Sequence, residues 1–162
     1  AIAAQRDDIV ACGFDMADIE IMQNVHLRMW HPKGGIPYAL SYRLQKGMEQ
    51  IAQQELKQIS NGTKEKPSIK FVAAGHLHTS FYGRFGDITG FQSGAFEGTT
   101  NYLKRLGLNP SIGGWTYKCW IDKNGFVSHN PFFWEFKEIE DDYKNYRHTF
   151  CTESKCTGPL FE

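Results

Sequence analysis

Ile69-Lys70-Phe71-Val72-Ala73-Ala74-Gly75-His76-Leu77-His78 is the stretch on which the reading of this 162-residue chain turns. Its first six residues form a mostly apolar run of strand length and read as a buried strand. Gly75 removes a side chain where the backbone is expected to turn close to a ligand. If the segment stays extended, His76 and His78 project to the same side, about 6.5–7 Å apart along the backbone. Two imidazoles so placed can converge on one ion, or serve two ions about 3.5–4 Å apart.

Upstream, Val25, Leu27 and Met29 alternate with His26, Arg28 and Trp30, the period of a strand with unequal faces. His31 stands at the end of that strand, followed by a loop carrying Pro32, Lys33, Gly34, Gly35 and Pro37. Next come Leu40, Leu44, Met48, Ile51, Leu56 and Ile59 at near-helical spacing, ended by Asn61-Gly62 and a polar linker over 64–67. Strand, loop, helix and strand in this order read as a βαβ unit, with parallel strands and a right-handed crossover. The reading puts His31, His76 and His78 at the carboxyl edge of one sheet, where open α/β sheets bind ligands.

Residues 2–11 read as a short helix stopped by Gly13, with a connector leading to the first strand. Beyond His78, residues 87–92, 115–121 and 126–136 read as short strands. The last two form a hairpin around Asp122-Lys123-Asn124-Gly125. Residues 137–162 are charged and irregular, and are expected to be a polar C-terminal tail to a domain spanning residues 1–136.

Composition narrows the field. Eighteen basic residues balance eighteen acidic ones, so no global field favours nucleic acid or an acidic membrane surface. Aromatic residues make up 14% of the chain, which favours sheets over helical bundles. No apolar stretch approaches the roughly 20 residues needed to cross a bilayer. Cys12, Cys119, Cys151 and Cys156 are scattered, and a reducing, cytoplasmic setting is the plainer expectation.

His31, His76 and His78 are thus the candidate metal ligands, and Lys33 and Arg43 the candidate substrate contacts, with Arg84 a further cation near a histidine segment. Salt bridges remain the ordinary use of such cations. His26 falls on a strand face and reads as an ordinary histidine, and His129 reads as surface. His148, Cys151 and Cys156 give three zinc-type donors without a fourth. Tyr38, Tyr42 and Tyr82 suit core packing better than a cleft.

A lone histidine after a strand, a helix, and a strand running into Gly-His-x-His resembles the C-terminal half of the calcineurin-like metallophosphoesterases. The resemblance covers roughly residues 20–136 and implies an α/β fold, the back portion of an α/β/β/α sandwich. It also implies that His31 and His76 bind one metal and His78 another, in a two-ion site for phosphoester hydrolysis. Manganese, iron, zinc or nickel suit imidazole ligands. Imidazole binds metal only when neutral, so activity is expected to fall in acid.

The family's Asp-x-His, Gly-Asp and Gly-Asn-His motifs are not found in their places, and Gly86-Asp87 lies on the wrong side of Gly-His-x-His. The chain opens at Ala1 without methionine. It is therefore expected to be the back part of a longer enzyme, with the catalytic residues upstream of Ala1 and the missing N-terminal half as partner. A nuclease or DNA-processing member and a non-catalytic binding or assembly module stand as alternatives. A cupin-like sandwich is disfavoured, because Tyr82 and Gly83 occupy the positions where that family places a glutamate. A mononuclear three-histidine zinc hydrolase stays open on ligand count.

Overall fold

The computed structural model describes residues 6–122 and 125–136. The expected tail, the turn residues 123 and 124, Ile2 to Gln5 of the expected helix, and His148, Cys151 and Cys156 lie outside them. In chain order the elements are β1 (Met16–Met22), β2 (Val25–Trp30), α1 (Tyr42–Ser60), β3 (Ile69–Ala74), β4 (Phe81–Phe85), β5 (Ile88–Gln92), α2 (Asn101–Arg105), β6 (Gly113–Asp122) and β7 (Gly125–Glu135). Five strands form one mixed sheet in the order β1-β2-β3-β5-β4, and β6 and β7 form a separate antiparallel hairpin. The fold is α/β.

The strand–helix–strand order and the parallel pairing are present as read. β2 and β3 are parallel, with Trp30 opposite Ala74, so both strands end at the same edge. α1 buries Leu44, Met48, Ile51 and Glu55, which recur at four, three and four residues down one face. Leu56, expected on that stripe, is exposed because it sits one position round the helix from Glu55. The stripe packs with Ile69, Val72, Ala74 and Ile88 to make the core, with Trp30 against it. Two glycines let helix and sheet approach. A Cβ on Gly47 would stand 2.6 Å from the Trp30 ring, and one on Gly90 would stand 2.5 Å from the Met48 sulfur. Gly62, with φ of 71°, follows the Asn61 cap and ends the helix as the sequence indicated.

On the other side the hairpin meets the sheet through aromatic rings. Phe71 and Tyr117 lie edge to face at 5.2 Å, and Phe91 and Tyr117 stack at 5.6 Å. The Trp115 indole N–H donates to the Gln92 carbonyl at 2.9 Å.

Three expectations need correction. Residues 6–11 are not helical; they are exposed and have no packed surface to stabilise so short a helix. The supposed connector contains β1, which pairs antiparallel with β2 and carries Ala17, Ile19 and Ile21 in alternation with Asp18 and Glu20. β4 is a further strand, antiparallel to β5 along Phe81–Phe85. Among the described residues, no helix is long and apolar enough to cross a membrane.

Candidate metal centre at the carboxyl edge of the sheet

Strand register puts the first two histidines side by side. The Gly75 amide donates to the Trp30 carbonyl at 3.1 Å, extending the β2–β3 ladder by one rung beyond the strands. His31 follows Trp30 and His76 follows Gly75, so their rings meet. Their centroids are 4.9 Å apart with planes at 78°, and Nδ1 of His76 lies 3.1 Å from Nε2 of His31.

The other nitrogen of His76 fixes the tautomer. Nε2 lies 3.0 Å from the Gly34 carbonyl, which can only accept, so Nε2 carries the proton. In the neutral ring Nδ1 then presents a lone pair, and it accepts from the Nε2–H of His31. An N–H held by a backbone carbonyl is the usual support of a metal-binding imidazole, because it aims the second nitrogen.

The loop that supplies this carbonyl is itself tied down. Arg43, in the first turn of α1, donates to the carbonyls of Lys33 and Gly35. Three successive carbonyls, 33 to 35, are therefore held by Arg43 and His76. Gly34 has φ of 96°, a conformation suited to glycine. Lys33 reaches back to Asp15 at 2.5 Å, with its ammonium largely in solvent. The His31 amide donates to the Asp15 carbonyl at 2.8 Å, which anchors the same corner.

His78 goes elsewhere. The chain past Ala74 is not extended as expected, because His76 and His78 both adopt left-handed torsions, with φ of 86° and 56°. Gly75 does not take the positive φ; the histidines do. Left-handed torsions cost a side-chain-bearing residue about 1–2 kcal/mol, and such torsions cluster at functional sites and tight turns. They break the period-two alternation, bury Leu77 at 2% exposure, and direct His78 toward Glu97, with Nδ1 4.0 Å from Oε1.

The segment is braced beyond this point. The Gln92 amide donates to the Thr79 carbonyl and hydroxyl at 2.8 and 2.7 Å, and the Ser111 amide donates to the His78 carbonyl at 2.8 Å. Among the described residues, no group of three or more histidine, cysteine or acidic side chains is gathered closely enough to hold a metal ion.

The structure thus brings His31 and His76 together, links Lys33 and Arg43 to the same corner, and sets His78 apart. Asp15, Glu97 and the Gly34 carbonyl were not singled out from sequence. Nothing local marks them, since each matters only through a partner distant in the chain. No family model matches the chain, and no curated protein and no solved structure matches it.

Proposed function

We propose that the carboxyl edge of the sheet is one side of a divalent-metal site for phosphoester hydrolysis, with His31 and His76 as adjacent ligands. The observation that carries this reading is the 3.1 Å separation of their facing nitrogens. Metal–nitrogen bonds of about 2.0–2.1 Å drawn from atoms so spaced meet at roughly 95–100°, between octahedral and tetrahedral angles. His76 is aimed for this by its bond to Gly34. His31 would have to move its proton from Nε2 to its own Nδ1 and turn its ring, which breaks the hydrogen bond to His76 and frees both facing nitrogens.

Two nitrogens are half of a tetrahedral set, so the remaining donors come from outside the described residues or from water. In this reading a bound ion supplies Lewis acidity and an acidified water for attack on phosphorus. Arg43 holds the loop that positions His76, and the exposed Lys33 ammonium, now paired with Asp15, would have to leave that carboxylate to meet a phosphoryl oxygen. His78 and Glu97 do not fit one ion as they stand. Donors 4.0 Å apart would meet at roughly 145° with bonds of 2.1 Å, and no step is assigned to a second ion there.

Calorimetric titration with zinc, nickel and manganese tests the site. Binding is expected in the unaltered chain, lost in His31→Ala and in His76→Ala, and kept in His78→Ala. Metal-dependent release of nitrophenol from a nitrophenyl phosphate diester or monoester, lost in the same two variants, supports the chemistry. Equal metal affinity in all three variants removes the proposal.

A second reading draws on the same contacts. Arg43 and His76 tie down carbonyls 33 to 35 whether or not metal is bound. The histidine pair would then be a staple for a binding loop on a non-catalytic module. A chain that binds no metal yet loses protection of the loop amides in His76→Ala favours that reading.

A further inference from the structure

The hairpin of β6 and β7 meets the sheet with one face only. Trp115 and Tyr117 point inward, the first bonded to Gln92 and the second packed on Phe71 and Phe91. By alternation Thr116, Lys118 and Trp120 point outward, as do Phe132 and Trp134, which pair with Thr116 and Gly114 across the hairpin. Phe136 extends this row two residues beyond Trp134, its amide donating to the Ile112 carbonyl at 2.9 Å. Phe96 closes the row. Its ring stacks on Phe136 at 5.9 Å and sits where a Cβ on Gly114 would stand 3.0 Å from it. Phe132 and Trp134 meet edge to face at 4.7 Å, and the Trp134 indole N–H donates to the Thr116 hydroxyl, so that ring is held across the strands. Trp120, Phe132, Trp134 and Phe136 are 47–54% exposed, and Phe96 is 81% exposed.

The area and charge of this strip say what covers it. Aromatic side chains carry about 150–250 Å² each, so the five rings present roughly 400–700 Å² of apolar surface, the upper range for a patch left on a monomer. A stable interface takes ~800 Å² from each partner, which the strip reaches once its polar margin is added. Lys118 is the one lysine or arginine in β6 and β7, and its ammonium lies 5.1 Å from the centre of the Trp120 ring. One cation is too few to follow a phosphate backbone. The indole N–H of Trp134 is already given to Thr116, so a sugar stacked on that ring gains no bond from it. The matching surface is another apolar strip of the same extent, and a second copy supplies it. The chain's formal net charge is zero, so two copies have no global charge to keep them apart. We infer that this strip is the contact between two copies of the chain, related by a twofold axis that crosses the strands at the level of Thr116 and Phe132. About such an axis Lys118 of one copy falls on Trp134 of the partner subunit, which separates the two ammonium groups and sets each against a ring.

The experiment is sedimentation of the full chain over a range of concentrations, with acrylamide quenching of tryptophan fluorescence on the same samples. A reversible monomer–dimer equilibrium is expected, with quenching that falls as the dimer fills. Trp134→Lys should weaken the dimer about tenfold or more, because a central ring is lost and a second cation enters each strip. That variant also gives up the bond to Thr116. Lys118→Glu is therefore the second arm: it removes no ring, lies on the exposed face, and should weaken the dimer by replacing a cation over the partner's ring with a carboxylate. Urea unfolding of both variants as monomers checks that the fold is kept. A chain that stays monomeric at every concentration overturns the proposal, and quenching of that monomer by oligothymidylate or cellohexaose would assign the strip to a ligand instead. A dimer that forms equally well in both variants uses another surface and overturns it too.

Discussion

The helix-covered face of the sheet and its carboxyl edge are built on the same two strands by different rules. On the face, side chains are aimed by periodicity. Val72 and Ala74 point toward α1 because they alternate, and Leu44, Met48 and Ile51 answer because they fall on one helical stripe. At the edge, side chains are aimed by individual torsions. His76 and His78 are separated by one residue, yet left-handed backbone at both sends one toward His31 and the other toward Glu97. The face is therefore held by collective packing, and the edge by a few hydrogen bonds to loop carbonyls.

Substitutions on the two regions should separate accordingly. Leu44→Ala, at a fully buried position, is expected to cost about 2–5 kcal/mol by urea unfolding. His31→Ala, at an exposed one, is expected to stay within about 1 kcal/mol. Comparable losses from the two would erase the contrast. Gly90→Ala forces a methyl group against Met48 and Leu44 and should cost about 1–3 kcal/mol. A neutral result would mean that α1 packs less tightly on the sheet than described.

Titration sharpens the contrast from both ends of the pH scale. Burial pushes the Tyr117 phenol up to about 12. The unfolded chain ionises first, near pH 10, so stability present below that pH should decline as pH rises toward 12. Tyr117→Phe should flatten this alkaline arm. In acid, the bond from Arg28 holds the Asp18 carboxyl below its ordinary value. Burial alone would raise the Glu55 carboxyl, but Lys64 and the amides of Ser68 and Ile69 outweigh it and hold that group low as well. Depressed carboxyls stabilise the fold above the unfolded value near 4 and lose that contribution as pH falls through the folded values. Asp18→Asn should therefore reduce the slope of acid unfolding. The smallest effect belongs to the edge. His78→Gly relieves a left-handed torsion and should leave stability unchanged or raise it by up to about 1 kcal/mol in the same unfolding assay.

The same division decides what could be read from sequence. β2, α1, β3 and the hairpin were legible because each carries a periodic apolar pattern bounded by turn residues. β1 carries alternation too, in Ala17, Ile19 and Ile21, but its acidic partners made it look like a connector. The helix expected over residues 2–11 had composition in its favour and no surface to pack on where residues 6–11 are described. Glu55 was hidden because a buried carboxylate looks like any polar residue until its donors arrive from Lys64, Ser68 and Ile69. The meeting of His31 with His76 follows from two strands ending together, which the βαβ pattern announces. The departure of His78 depends on positive φ at side-chain-bearing residues, which no spacing rule reports.

The most direct test follows the imidazole nitrogens of His31 and His76 by long-range ¹H–¹⁵N NMR while zinc is added. The account predicts that Nε2 of His31 and Nδ1 of His76 shift together and saturate, with Nε2 of His76 staying protonated on the Gly34 carbonyl. Zinc that leaves both rings unchanged, or that moves only His78, contradicts it.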